Sequence, residues 1–225
     1  MMNRKIKTET IFVLVGSLLF VLLTGCETRE IGGPNTKKQA SEGGKLIFSD
    51  DFERKSVGEN WHRGTGEGGS GDWEIKDGWL TASDIKNDPL WLSEKLPEKV
   101  RVEFDARATS KEGDLKAEIF GDGEHHATGY ILIMGGWDNR LDVIARLDEH
   151  GDDRKQKPSV KVEPNRTYRW AIERTGSDLR WYVDGELYMT YQDKAPLRGS
   201  GHRFFAFNDW TAPVQFDNLR VYRLD

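Results

Sequence analysis

Tyr168-Arg169-Trp170-Ala171-Ile172-Glu173-Arg174, followed four residues later by Leu179-Arg180-Trp181-Tyr182-Val183-Asp184-Gly185, is the stretch from which the fold can be read. Tyr168, Trp170 and Ile172 recur at every second position, the period of a strand with one buried face. Asp184-Gly185 is a hairpin signal, because its glycine accepts the positive φ of a tight two-residue turn. Glu186 to Tyr191 then returns as the partner strand.

The same pattern extends in both directions. Val100 to Arg107 alternates strictly, with Val102, Phe104 and Ala106 on one face and Arg101, Glu103, Asp105 and Arg107 on the other. Trp73-Glu74-Ile75, Asp77-Gly78 and Trp79-Leu80-Thr81-Ala82 predict a second hairpin. Leu141 to Leu147 alternates except at Ile144, and Arg203 to Phe207 and Val214 to Tyr222 supply the last strands. No segment sustains a helical period. About ten to twelve short strands with closely spaced turn signals predict an all-β, two-sheet antiparallel sandwich or jelly roll. Trp73, Trp79, Trp170 and Trp181 fall in strand patterns and are assigned to the core.

These segments resemble the concanavalin A-like lectin/glucanase superfamily, to which family-16 glycoside hydrolases and laminin-G-like domains belong. The Trp73–Leu80 hairpin, the Val102–Ala108 strand, the Tyr168–Gly185 hairpin and the closing Phe216-Asp217-Asn218-Leu219-Arg220-Val221-Tyr222 run in the order of that superfamily's motifs. The resemblance implies a jelly roll with one concave, glycan-binding sheet, and it spans enzymes, lectins and adhesion modules alike. It also implies a structural Ca²⁺ ion at the closing-strand aspartate, here Asp217, with Asp51 or Glu53 of the first strand region as further oxygen donors.

Catalysis of the family-16 kind needs paired carboxylates on one strand. The strand after Gly135-Gly136-Trp137 reads Arg140-Leu141-Asp142-Val143-Ile144-Ala145-Arg146, with Asp142 its only acid. The paired glutamates are absent, so family-16 chemistry is not expected. Glu103 with Glu118, Asp142, His126 and His202 are the remaining catalytic candidates, and strand-face acids of this kind are commonly solvated. His125 and His126 are adjacent, so on a strand they point to opposite faces and share one ion poorly. Sugar rings stack on aromatic faces while amides and charges take their hydroxyls. Trp137 and Trp210, in polar loops, and Trp91 are therefore the carbohydrate-binding candidates, with Arg107, Tyr182 and Asn208 beside them; the competing role for the three tryptophans is to plug the ends of the sandwich.

The beginning of the chain carries a different message. Arg4, Lys5 and Lys7 precede an apolar run from Ile11 to Leu23 and then Leu22-Leu23-Thr24-Gly25-Cys26. Charged, apolar and small residues in that order form an export signal, and the run falls short of the roughly 20 apolar residues a spanning helix needs. The stretch resembles the bacterial lipobox, which implies signal peptide over 1–25 and lipid modification of Cys26, the only cysteine. Glycine-, serine- and lysine-rich residues 26–44 read as a flexible tether, and the domain as 45–225. With one cysteine no intrachain disulfide can form, so the core must hold itself. A net charge of −5 with interspersed signs offers no basic stripe for nucleic acid. The expectation is a lectin-like module bound to a glycan partner and to the membrane through its lipid, in the cell envelope and there in the outer membrane. The alternatives are a glycoside hydrolase or polysaccharide lyase with an unfamiliar catalytic set, and a structural or protein-binding envelope lipoprotein.

Overall fold

The computed structural model describes residues 44–225; the expected signal peptide, Cys26 and nearly all of the expected tether lie outside the described residues. Fifteen strands run in chain order as β1 (Lys45–Asp50), β2 (Trp61–Arg63), β3 (Glu74–Lys76), β4 (Trp79–Ala82), β5 (Leu90–Leu92), β6 (Val100–Ala108), β7 (Leu115–Gly121), β8 (Tyr130–Gly135), β9 (Leu141–Arg146), β10 (Lys155–Pro158), β11 (Tyr168–Thr175), β12 (Asp178–Val183), β13 (Glu186–Gln192), β14 (Phe204–Asn208) and β15 (Val214–Arg223). A single helical turn, α1 (Gly136–Asn139), joins β8 to β9.

All pairings between these strands are antiparallel, and they build two sheets. The eight-stranded sheet runs β13-β12-β11-β6-β15-β4-β3, with β1 also on β15; the seven-stranded sheet runs β10-β9-β8-β7-β14-β5-β2. Both expected hairpins form. Asp77-Gly78 takes φ of 51° and 76°, and Asp184-Gly185 takes 52° and 80°, the doubly positive turn that matches strand twist. β15 serves two partners on one edge because it is bulged between Asp217 and Arg220. Residues before the bulge pair with β4 and those after it with β1. Asn218 sits at the break with φ of 53°, which asparagine tolerates better than most side chains.

The core lies between the sheets and is largely aromatic. Phe104, Trp170 and Trp181 project from the eight-stranded sheet, Phe205 and Phe207 from the other, all fully buried. Phe207 stacks on Phe216 at 4.3 Å and meets Phe104 edge-on at 5.1 Å, so rings rather than a disulfide join the layers. Trp79 departs from its core assignment. In β4 it is Leu80 and Ala82 that are buried, which turns Trp79 outward beneath the Arg107 guanidinium, 3.8 Å from the ring centre.

The outer faces of the two sheets differ in kind. On the eight-stranded sheet, Arg101, Glu103, Asp105, Arg169 and Glu173 form a ladder of ion pairs; Arg169 alone reaches Glu103 and Asp105 at 3.0 and 3.1 Å. The seven-stranded sheet carries a second apolar cluster on its outer face, formed by Ile131, Ile133, Val143 and Ala145 with Trp137, Ala127 and Leu141 packed against it. The exception at Ile144 is thereby explained. Ile144 faces the core, and the alternating residues around it face a cleft on the other side.

Candidate functional site

The cleft over the seven-stranded sheet has a volume of about 590 Å³ and lies between Trp137 and Trp210, with Asp114, Lys116, Ile133, Glu149 and His150 among its walls. Its floor comes from Lys116 of β7 and Ile133 of β8. Its rim comes from five loops, those between β2 and β3, β6 and β7, β8 and β9, β9 and β10, and β14 and β15, which the strand pattern alone could not place.

Trp137 is carried on a left-handed turn. Gly135 takes φ of 72°, and Trp137 (φ 52°, ψ 61°) and Asp138 (φ 57°, ψ 48°) follow in the same region. For non-glycine residues that conformation costs roughly 1–2 kcal/mol each, so something must hold it. Asn139 does so: its buried amide donates to the Lys111 and Val162 carbonyls and accepts from the Val162 N–H. Gly136 must be small, since a Cβ there would lie 2.7 Å from the Ile133 side chain. The Gly-Gly-Trp sequence is thus a device that sets an indole over the cleft, half-buried and touched edge-on by His150 at 5.6 Å.

Trp210 follows the β14 terminus and is 37 % exposed. Its carbonyl accepts from the Lys86 N–H at 2.7 Å and its N–H donates to Asp114 at 3.1 Å, which fixes the backbone that bears the ring. Beneath the two rings lies a charged group that the sequence reading did not assemble. Lys116, 2 % exposed, donates from Nζ to Glu149 at 3.0 Å and to the Asn87 amide oxygen at 2.8 Å. Glu149 belongs to the loop after β9, so to reach β7 that loop crosses the outer face of β8 and fills part of the hollow. Burial alone would lower the Lys116 pKa, but Asp114, Glu149 and Asp209 outweigh it and raise it. The two acids diverge. Asp114 is raised by burial and by the negative charge of Glu149, whereas Lys116 holds Glu149 below its ordinary value against the pull of burial. The hollow is therefore not lined by rings and amides alone.

Deeper on the same face, Glu118 is fully buried and accepts from His126 Nδ1 at 2.7 Å, Asn208 Nδ2 at 2.6 Å and the Ala127 N–H at 3.1 Å. This corrects the reading of Glu118 as a solvated acid and brings three of the candidate residues together. Asp209 is buried beside them, and neither carboxylate oxygen has a hydrogen-bond partner among the described residues. Burial first, and then the charge of Asp114, push its pKa up to about 8. A carboxyl that keeps its proton in the fold but ionises in the ordinary range when unfolded stabilises fully at low pH. That contribution drains away as pH rises towards 8. Asp209→Asn, which cannot ionise, is expected to flatten the fall in stability between about pH 6 and about pH 9 and to exceed the wild type at the upper end. Urea unfolding at the two pH values checks this, and parallel curves would refute it.

Several candidates lie elsewhere. Trp91 is on the same sheet face but entirely buried, with its ring between Gly64 and Gly121, where any Cβ would fall within 2.5 Å of it. It presents no surface to a sugar. Arg107 and Tyr182 stand on the outer face of the opposite sheet, Arg107 held by Gln215 and Trp79, Tyr182 buried against Glu173. Glu103 is on that face too, so it cannot pair with Glu118, a strand of the other sheet. Asp142 points between the sheets, accepting from the Gly135 N–H and the Tyr188 hydroxyl. His202 belongs to a separate pocket and bonds the Thr128 carbonyl. At the calcium candidates, Asp105, Glu53 and Asp51 lie near enough to Asp217 that their charges add to burial in raising its pKa. Among the described residues no three His, Cys, Asp or Glu side chains converge as a metal ion would require.

With this geometry in hand, the class is clear: a two-sheet antiparallel jelly-roll sandwich of the concanavalin A-like kind. No family model matches the chain. The carbohydrate-binding module CBM66 from Bacillus subtilis is similar at 15 % identity and TM-score 0.56, over 74 % of this chain and 98 % of that one. The catalytic domain of an endo-1,3-β-glucanase (laminarinase) from Thermotoga petrophila RKU-1 is similar at 17 % identity and TM-score 0.57, over 81 % and 99 %. In sequence, an extracellular exo-α-L-arabinofuranosidase from Streptomyces chartreusis is 22 % identical over 162 residues, which are 72 % of this chain and 19 % of the enzyme. The chain spans about a fifth of that curated relative.

Proposed function

We propose that this chain is a carbohydrate-binding, lectin-like module, held to the bacterial cell envelope by a lipid on Cys26 and facing a glycan or polysaccharide. The observation that carries the reading is the pair of indoles, Trp137 and Trp210, brought from two loops to one cleft of about 590 Å³ with charged groups between them. A carbohydrate-binding module and two glycan-acting enzymes among its similar proteins support it. Anchoring rests on the lipobox-like stretch, and Glu27 after the cysteine, in place of the aspartate associated with inner-membrane retention, favours the outer membrane. Affinity electrophoresis against a panel of polysaccharides tests binding, and radiolabelled palmitate incorporation lost in Cys26→Ala tests the anchor.

One observation favours catalysis as a second reading. Asp114 and Glu149 share the cleft with pKa values displaced in opposite directions, the division that acid–base chemistry on glycosidic bonds uses. New reducing ends or unsaturated products released from a polysaccharide, and lost in Asp114→Asn, would move the assignment from binding module to hydrolase or lyase.

Calcium is a separate proposal. Burial raises the Asp217 pKa and the charges of Asp105, Glu53 and Asp51 add to it, so a divalent ion there, its shell completed by backbone carbonyls and water, would relieve that charge. Millimolar CaCl₂ is then expected to raise the unfolding midpoint by several degrees in the wild type and not in Asp217→Asn; an unchanged wild-type midpoint would dismiss the ion.

A further inference from the structure

The cleft leaves unused a second concavity of about 270 Å³, at the end of β7 away from Lys116. Its walls come from the loop between β5 and β6, from Phe120, from the end of β11 and from the Leu197–Arg203 loop. Four permanent cations line it, Lys95, Arg174, Arg198 and Arg203, against one carboxylate, Glu98. That is a local excess of positive charge in a chain whose net charge is −5.

Arg174 is the unusual member. Its residue is only 4 % exposed, yet no carboxylate lies within ion-pair distance of it, nor of the other three cations, among the described residues. A buried guanidinium normally has an anionic partner, because burying an unpaired charge costs several kcal/mol. What Arg174 has instead are carbonyls and a ring. It donates to Leu197 O at 2.5 Å and to Gly176 O at 3.4 Å, and its guanidinium lies 3.9 Å from the centre of Phe120. Burial depresses its pKa and the neighbouring Arg198 adds to the fall, while Tyr130, Asp193 and Glu98 offset it only in part. Arg203 is likewise held by a carbonyl, Leu96 O, at 3.1 Å. His202 anchors Nδ1 on Thr128 O, leaving its other ring nitrogen as a further donor when protonated. Carbonyl anchoring orients the guanidinium groups without neutralising them, the preorganisation that a binding site for a planar or tetrahedral anion needs.

We propose that this pocket binds an oxyanion, a sulfate, phosphate or carboxylate group, free or carried on a larger molecule such as an acidic glycan. It is independent of the cleft, and its ligand chemistry is opposite in sign to that of a cleft walled by Asp114, Asp138 and Glu149.

Isothermal titration of the folded protein with sodium sulfate at pH 6, against sodium chloride at matched ionic strength, tests the site. Saturable binding with a dissociation constant in the low millimolar range or tighter is expected for sulfate and not for chloride. Arg198→Ala removes an exposed side chain with no hydrogen bond to the fold and is expected to weaken binding at least fivefold; Glu98→Gln is expected to tighten it. Trp137→Ala and Trp210→Ala should leave it unchanged, which separates this pocket from the cleft. Galactose 6-sulfate identifies the source: affinity at least tenfold above that of inorganic sulfate indicates an anion carried on a sugar, and equal affinity indicates the free ion. Unsaturable titration by sulfate, or an Arg198→Ala variant that binds as the wild type does, would overturn the proposal.

Discussion

Replacing Lys116 by methionine is expected to lower the free energy of unfolding by about 3–5 kcal/mol at neutral pH, the range for removing one partner of a buried ion pair. The substitution keeps most of the aliphatic stem, so little packing is lost. What disappears is the cation that Asp114 and Glu149 share. Glu149 would be left half-desolvated without its 3.0 Å partner, and the Asn87 amide oxygen without its donor. The pH dependence supplies the sign. In the wild type Glu149 has a depressed pKa, so its contribution is present above the ordinary carboxylate range and lost as pH falls through the lowered value. In Lys116→Met the same acids lose their cation and their pKa values rise, so acidification should restore part of the deficit. Urea unfolding at about pH 7 and about pH 5 distinguishes the cases. A variant within 1 kcal/mol of the wild type at both would mean that the acids are solvated and the cluster is ornamental.

Trp137→Ala and Trp210→Ala are each expected to weaken glycan binding by roughly tenfold to a hundredfold, the loss of about 1.5–3 kcal/mol usual when an aromatic anchor is truncated, and the double variant to abolish it. Trp210→Ala is the cleaner test. Trp210 is 37 % exposed and lies outside the buried core, so stability should change by under about 1 kcal/mol. Trp137 packs on the Ile131–Val143 cluster and is held in a left-handed turn, so its removal will cost more stability. Titration of a polysaccharide that the wild type binds, followed by tryptophan fluorescence or calorimetry, gives the ratio directly. Wild-type affinity in both single variants would show that the cleft is not the binding surface, even if the protein still bound a glycan.

Why some of these residues were legible and others were not follows from the geometry of strands. Trp137 and Trp210 stood out because tryptophan is rare in glycine- and aspartate-rich loops, and both reach the cleft. Trp91 looked similar, but Gly64 and Gly121 make room for its ring and the surrounding loops bury it. Arg107, Tyr182, Glu103 and Glu118 all sit at outward positions of their strands. Only Glu118 and its partners share a face with Trp137, because β6 and β7 are neighbours in sequence but belong to opposite sheets. Asp142 had a polar alternation pattern that placed it outward. The structure turns it inward, because Tyr188 and the Gly135 N–H satisfy the carboxylate there and Trp137 covers the apolar residues on the other side.

Local chemistry alone therefore settles the class of fold. The period-two burial, the Asp-Gly turns and the run of inward aromatic residues each act within a few residues, and each demands strands. Which outward faces look into a common hollow is decided by strand order, and strand order depends on contacts between residues a hundred positions apart. The Glu149–Lys116 pair, the stranded Asp209 and the unpaired Arg174 arise only when distant loops are folded over the same sheet, since a charge is buried or paired by what surrounds it in space and not by its neighbours along the chain.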